Sequence, residues 1–360
     1  MVSMIRKYSS ALLFILFIQV SGCSSQGNSS NVERRTFAIQ IDTVKIDLGD
    51  KLLGSSMGLT SMDLEKNALL SFNSYNHSVE RIDFDPVRLV DILNFEIEGP
   101  NGLGKPIYDF EVLDNQKLFF RAPTSVLTTN WESEVLSSIN LLGQESLENL
   151  YVTTACSLEK GTGDYYCIYD SLNIRNRGIV KVDINENSFS KYSIDSLKYF
   201  KKFDFDNIQF RPEIKFLREI LIVSHPFTNE FLIVDPYVSI EHKFFKSELT
   251  KNAKRFADNI NTDLGELFKS IRSQVSFYPP MYDETRDIFL RISIKPKTPT
   301  SEGKSLVVVS VFDSGFNFIG EVSAQMAGSV GVHFLYDGRV YFPQVMSDTE
   351  EPYFLVMNVS

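Results

Sequence analysis

Two stretches, Leu306-Val307-Val308-Val309 and Phe231-Leu232-Ile233-Val234, are apolar at every position. A strand with one wet face alternates apolar and polar residues, so strands of this kind must be covered on both sides. A single half-solvated sheet is excluded for them. Sheets stacked face to face around an axis bury both sides of their middle strands, which is the arrangement of a β-propeller.

The rest of the chain agrees. Short apolar or alternating runs recur at 36–48, 68–72, 87–97, 107–113, 117–121, 150–155, 165–169, 178–184, 214–224, 230–234, 287–294, 306–313, 332–342 and 353–359. Turn formers separate them, among them Asp114-Asn115, Asn185-Glu186-Asn187, residues 225–229 and Asp313-Ser314-Gly315. Asp337-Gly338 is the strongest hairpin signal, because a type I′ turn needs positive φ at both central residues. The spacing predicts an all-β chain, a six-bladed β-propeller with a small helical insertion. The insertion falls at Asp263-Leu264-Gly265-Glu266, an Asp-x-x-Glu capping box followed by Leu264, Leu267, Phe268, Ile271 and Val275 at helical spacing. Residues 247–256 (SELTKNAKRF) read as a second, basic helical turn ahead of it.

The first 35 residues stand apart. Arg6 and Lys7 precede a short apolar run from Ala11 to Val20, and Val20-Ser21-Gly22-Cys23 reads as a lipobox. The run is about half of what spans a bilayer. The expectation is a signal peptide over 1–22, lipidation at Cys23, a flexible Ser/Asn-rich tether over 23–35 and a propeller over 36–360. Cleavage removes Arg6 and Lys7 and takes the formal charge from -10 to -12. So acidic a body disfavours nucleic acid and anionic lipid as partners, leaving the lipid chains to hold the protein on the membrane. Either side of the bacterial outer membrane, periplasmic or surface-exposed, fits this address.

With Cys23 acylated, Cys156 and Cys167 form an even pair in an oxidising compartment. They are symmetric about Gly161-Thr162, so a two-residue hairpin there sets them opposite one another, within reach of a disulfide, with two reduced, buried thiols as the competing account.

Three segments carry a family likeness: residues 95–104 (FEIEGPNGLG), 282–291 (YDETRDIFLR) and 351–355 (EPYFL). Together they resemble an uncharacterised lipoprotein family of the Bacteroidota, domain of unknown function 4221, which is similar to six-bladed TolB-like propellers. Leu290 stands where an aromatic is more usual, and Glu351-Pro352 where an acidic pair is. The resemblance implies a cell-envelope propeller over nearly the whole mature chain and brings no established reaction or catalytic residue.

The residues themselves give few chemical motifs. The glycines of 99–104 precede an apparent strand, not a helix, so they read as an interstrand turn instead of a phosphate cradle. Asp183-Ile184-Asn185-Glu186-Asn187-Ser188 begins like a calcium loop but lacks its sixth-position glycine and its twelfth-position glutamate. No metal site or cofactor is expected. His77, His225, His242 and His333 have no ligand spacing; His225 and His333 sit where a propeller mouth can draw on them, though ordinary turn or surface histidines are the simpler reading. Arg211, Arg286 and Arg291 lie at the edges of apolar strands, where a guanidinium must be paired or face an anion. Arg211, Tyr282, Arg286 and Arg291 are therefore the candidate binding residues of a central pocket, with internal ion pairs to Glu213, Asp283 or Asp287 as the competing account. Function stays open between a ligand- or protein-binding module, taking a glycan, a peptide or an envelope protein, and a hydrolase or lyase whose acid and base come from separate blades. Paired carboxylates of raised pKa at the axis favour the enzyme, a wet, uncharged channel favours binding, and a blocked channel favours a third reading, a purely structural scaffold.

Overall fold

The computed structural model describes residues 34–360 except 55–56, 115, 142–146, 148–149, 172–176, 194–211, 236–238, 255–263, 298–301 and 345–350. The leader, Cys23, the tether up to residue 33, and Arg211 lie outside the described residues.

The strands form six antiparallel sheets. β1 (Ile39–Lys45) comes first in the chain but belongs to the last sheet. Blade I is β2 (Leu59–Asp63), β3 (Ala68–Asn73), β4 (Ser78–Phe84) and β5 (Val87–Asn94). Blade II is β6 (Asp109–Asp114), β7 (Lys117–Arg121), β8 (Ser125–Asn130) and β9 (Val135–Asn140). Blade III is β10 (Leu150–Glu159), β11 (Asp164–Ser171), β12 (Arg177–Asp183) and β13 (Ser188–Ser193). Blade IV is β14 (Glu213–Leu217), β15 (Ile220–Ser224), β16 (Phe231–Asp235) and β17 (Ser239–Lys243). The helix α1 (Leu264–Arg272) intervenes before blade V. There β18 (Ser276–Phe277) and β19 (Met281–Asp283) both pair β20 (Ile288–Lys295), followed by β21 (Ser305–Asp313) and β22 (Phe318–Met326). Blade VI is β23 (Phe334–Tyr336), β24 (Arg339–Gln344), β25 (Tyr353–Val359) and then β1, paired from Ile39↔Val359 to Lys45↔Tyr353. The first strand thus closes the ring on the last, and the fold is the six-bladed β-propeller that the apolar runs require, with one helix, α1, among the described residues.

Middle strands are dry on both sides because neighbouring residues serve neighbouring interfaces. On β7, Leu118 and Phe120 pack in the cluster shared with blade I, whereas Phe119 packs with Tyr165 and blade III. On β16, Leu232 and Val234 join the blade III side and Phe231 joins Phe289 and Phe312 of blade V. Each such ring contributes about 1.5–3 kcal/mol by leaving water. Phe72, Phe110 and Phe120 lie with centroids 5.1–6.3 Å apart, mostly tilted or edge-on, the geometry their quadrupoles favour.

The hairpin details refine the sequence reading. Asp337 and Gly338 take φ of 46° and 70° between Tyr336 and Arg339, as a type I′ turn demands. The run 214–224 is not one strand but two. It folds back at Arg218 and Glu219, both at positive φ (50° and 63°), a turn without the glycine or asparagine that normally announces it. Cys156 and Cys167 are directly paired and disulfide-bonded, with Cα atoms 4.1 Å apart. Their hairpin loop is four residues long, 160–163, not two; the centre of symmetry is the same, so the pairing survives.

Residues 247–254 do not form the expected helical turn. Ser247 Oγ accepts from the backbone N–H groups of Leu249 and Thr250, and Glu321 from those of Glu248 and Leu249. Side chains thereby take the donors a helix would need. In α1, Leu267 is buried as expected, but Phe268 is 42% exposed.

Candidate functional site: an axial cavity

Inner strands differ from middle strands in having one face toward the axis. On β14 the alternation is Glu213, Lys215 and Leu217 inward, with Ile214 and Phe216 packed against blade III. On β6, Asp109 and Glu111 project the same way, two residues apart. With the start of β2, the segment 278–282 and the segment 331–335 they enclose a cavity of about 480 Å³, drawn from five of the six blades. That volume falls within the range of small-ligand sites. Leu59, Met62, Pro279, Pro280 and Val332 give it apolar walls.

Its polar groups fall into two sets. The first is satisfied internally. Tyr165, fully buried on β11, donates its hydroxyl to Asp109 Oδ2 at 2.9 Å, and Ser61 donates to Glu111 Oε2 at 2.6 Å. Lys160 lies 3.7 Å from Glu111. Desolvation and the neighbouring Glu111 push the Asp109 carboxyl up to about 6, against the pull of Lys215 and Tyr165.

The second set is less well matched among the described residues. Glu213 and Lys215 form no ion pair or hydrogen bond, although Lys215 and Arg291 act on Glu213 through space while burial raises its pKa. The hydroxyl of Tyr278 is likewise unmatched and faces Gly331, where an added Cβ would stand 3.6 Å from it. His333 Nδ1 is buried without a partner, and burial lowers this imidazole to about 4 against the opposing effect of a backbone hydrogen bond at Val330, so it is neutral at pH 7. His333 is thus a cavity residue held edge-on to Tyr278, centroids 4.8 Å apart, not a surface histidine.

The four sequence candidates do not come together here. Tyr282 borders the cavity, but its hydroxyl donates to Asp287 Oδ1 at 2.7 Å and its ring lies beside Arg218 and Phe289. Arg286 is held by the buried Asp283 at 2.5 Å and donates to the carbonyls of Val359 and Gly338, joining blades V and VI. Arg291, 0% exposed, donates to the carbonyls of Tyr278, Thr228 and Asn229 and lies between the rings of Phe231 and Phe277. Burial lowers its pKa to about 9 against the opposing charges of Glu213 and Glu230. Both arginines tie blades to one another, and neither lines the cavity. Arg211 falls outside the described residues.

Sequence reasoning missed Asp109, Glu111, Lys215 and Tyr278, and took Glu213 only as an ion-pair partner. A signal was present. Asp109-Phe110-Glu111 and Glu213-Ile214-Lys215-Phe216 alternate charge with apolar residue amid runs that do not alternate. In a propeller, that contrast marks the strands facing the wet axis.

The model of the family described as Domain of unknown function (DUF4221) matches residues 35–323. The chain belongs to the DUF4221 family. No curated protein matches it. Among solved structures it is similar to a DUF4221 member from Bacteroides vulgatus, at 15% identity and a TM-score of 0.67, covering 91% of this chain and 99% of that one. It is also similar to a Bacteroides fragilis protein named for its expected export, at 14% identity and a TM-score of 0.56, covering 91% and 98%. At such identities the likeness establishes the shared DUF4221 fold alone. Among the described residues no helix is long and apolar enough to cross a membrane.

Proposed function

We propose that this DUF4221 propeller is a ligand-binding module of the cell envelope whose ligand sits in the axial cavity. The observation that carries the reading is the set of polar side chains, Glu213, Lys215 and Tyr278, that line one space with no protein hydrogen-bond partner among the described residues. A concave space with a few convergent polar groups that are not committed to protein partners is the usual form of a ligand site, because those groups can hydrogen-bond a ligand without breaking internal bonds. The test is a thermal-shift and calorimetric screen of disaccharides and short peptides against the native protein and Gly331→Leu. Gly331 has ordinary φ and only the Tyr278 hydroxyl within 4 Å of an added Cβ, so leucine fills the cavity without straining the fold. Binding that disappears in Gly331→Leu supports the reading; binding that persists there, or none across the screen, removes it.

A second reading, a hydrolase or lyase with acid and base on separate blades, is favoured by the raised carboxyls of Asp109 on blade II and Glu213 on blade IV. It requires turnover that both Asp109→Asn and Glu213→Gln abolish. Export, cleavage before Cys23 and attachment through lipid complete the proposal, with a glycan, a peptide or an envelope protein as the partner class. Incorporation of labelled palmitate, lost in Cys23→Ser, is the corresponding measurement.

A further inference from the structure

The charges around the axis are unevenly matched. Asp109 receives the Tyr165 hydroxyl, and Glu111 receives Ser61 with Lys160 nearby. Arg291 is spent on backbone carbonyls. What remains is one carboxylate, Glu213, and one ammonium, Lys215, on the same face of the same strand and both lining the cavity; they act on each other, and Lys215 on Asp109, only through space. Neither lies within ion-pair distance of an opposite charge among the described residues. Residues i and i+2 of a strand are about 6.6 Å apart along its axis. The two side chains thus set a negative and a positive group two positions apart along one cavity wall.

We infer that the cavity receives a zwitterionic ligand of dipeptide size, its ammonium held by Glu213 and its carboxylate by Lys215. The fit is geometric. With consecutive Cα atoms 3.8 Å apart, the amino nitrogen and terminal carboxylate of an extended dipeptide are separated by about 5–6 Å. A second observation points to the part between the poles. The Tyr278 hydroxyl lines the cavity and can donate or accept, which suits the C=O or N–H of a peptide bond. A neutral sugar would use the same hydrogen-bonding groups but would leave the two charges unneutralised. A simple amine or a simple carboxylate would answer one pole and strand the other.

This inference rests on the axial cavity being the binding site, and the experiment separates the two. Calorimetry on the full mature chain compares L-alanyl-L-alanine, its N-acetyl derivative, its C-terminal amide and maltose. The free dipeptide should bind, and blocking either end should weaken it by about tenfold or more, the usual loss when one member of a desolvated charge pair is removed. Lys215→Met should abolish the preference for the free carboxylate and spare that for the free ammonium; Glu213→Gln should do the reverse. Both side chains are only partly buried, so both variants should keep the native melting transition. Blocked dipeptides binding as tightly as the free one overturn the inference. So does maltose binding with the dipeptide inert, although loss of that binding in Gly331→Leu would leave the cavity as the site. Dipeptide binding that persists in Gly331→Leu overturns both.

Discussion

Tyr165 of blade III donates its phenolic hydrogen to Asp109 of blade II across 2.9 Å, so one carboxyl of the axial cavity is fixed from the adjoining blade. Tyr165 is fully buried, and desolvation together with Asp109 raises its pKa well above the usual phenol range. It is the permanent donor of the pair. Asp109 is the titrating member.

Its carboxyl rises from 3.8 to about 6 on folding, with Glu111, Lys215, Tyr165 and Arg121 as the charged or titratable groups acting around it. The folded state therefore holds this proton more tightly than the unfolded chain. Its stabilising effect is complete below pH 4 and is lost as pH rises through 6. Asp109→Asn, which can still accept from Tyr165, should melt about 2–4 °C above the native protein at pH 8 and match it near pH 4. Melting curves across pH 4–8 check this; a constant offset would mean that Asp109 is not the group responsible.

Arg291→Lys should be severe despite keeping the charge. A lysine cannot reach three carbonyls contributed by Tyr278, Thr228 and Asn229 as a planar fork does. It also leaves an ammonium in a space with 0% exposure. A loss of about 3–5 kcal/mol in denaturant unfolding is expected, against about 1–3 kcal/mol for Arg286→Ala, whose guanidinium is partly solvated.

The Cys156–Cys167 bond closes a short loop across one hairpin. Replacing both cysteines by alanine should lower stability by about 2–4 kcal/mol. Dithiothreitol should lower the melting temperature of the native protein and leave the double variant unchanged.

Gly320 has no room for a side chain. An added Cβ would come within 2.6 Å of the Arg35 carbonyl and 2.7 Å of the Phe37 ring, where Arg35 N also donates to Ile319 O. Gly320→Ala should cost about 1–3 kcal/mol by overpacking. The displaced segment carries Arg34 and Arg35, so limited trypsin digestion should cut there faster in the variant than in the native protein.

The architecture was legible because the middle strands obey a simple rule: residues such as Phe119 and Phe120 face opposite blades, so neither position can be polar. Turn chemistry was legible where glycine carried the positive φ, as at Gly338, and hidden where Arg218 and Glu219 adopt it under the pull of flanking strand pairs. The segment 247–254 looked helical because propensity ignores Glu321, a residue distant in sequence whose carboxylate captures its backbone donors. The site was less legible. Arginines at strand edges invite an anionic ligand, but backbone carbonyls of an adjoining blade take the N–H donors of Arg291 that such a ligand would use. That Asp109, Glu213 and His333 meet depends on how blades II, IV and VI are placed around one axis, which spacing along the chain does not encode.

Pairing β1 with β25 has a temporal side. A polypeptide is made and delivered from its amino end, so the segment Ile39–Lys45 emerges long before Tyr353–Val359 exists to receive it. Until translation is finished the circle has a gap, and the product stays in an openable form through its passage out of the ribosome. Deleting the last eight residues would leave β1 and β24 without their shared neighbour, turning one small trim into two exposed sheet borders.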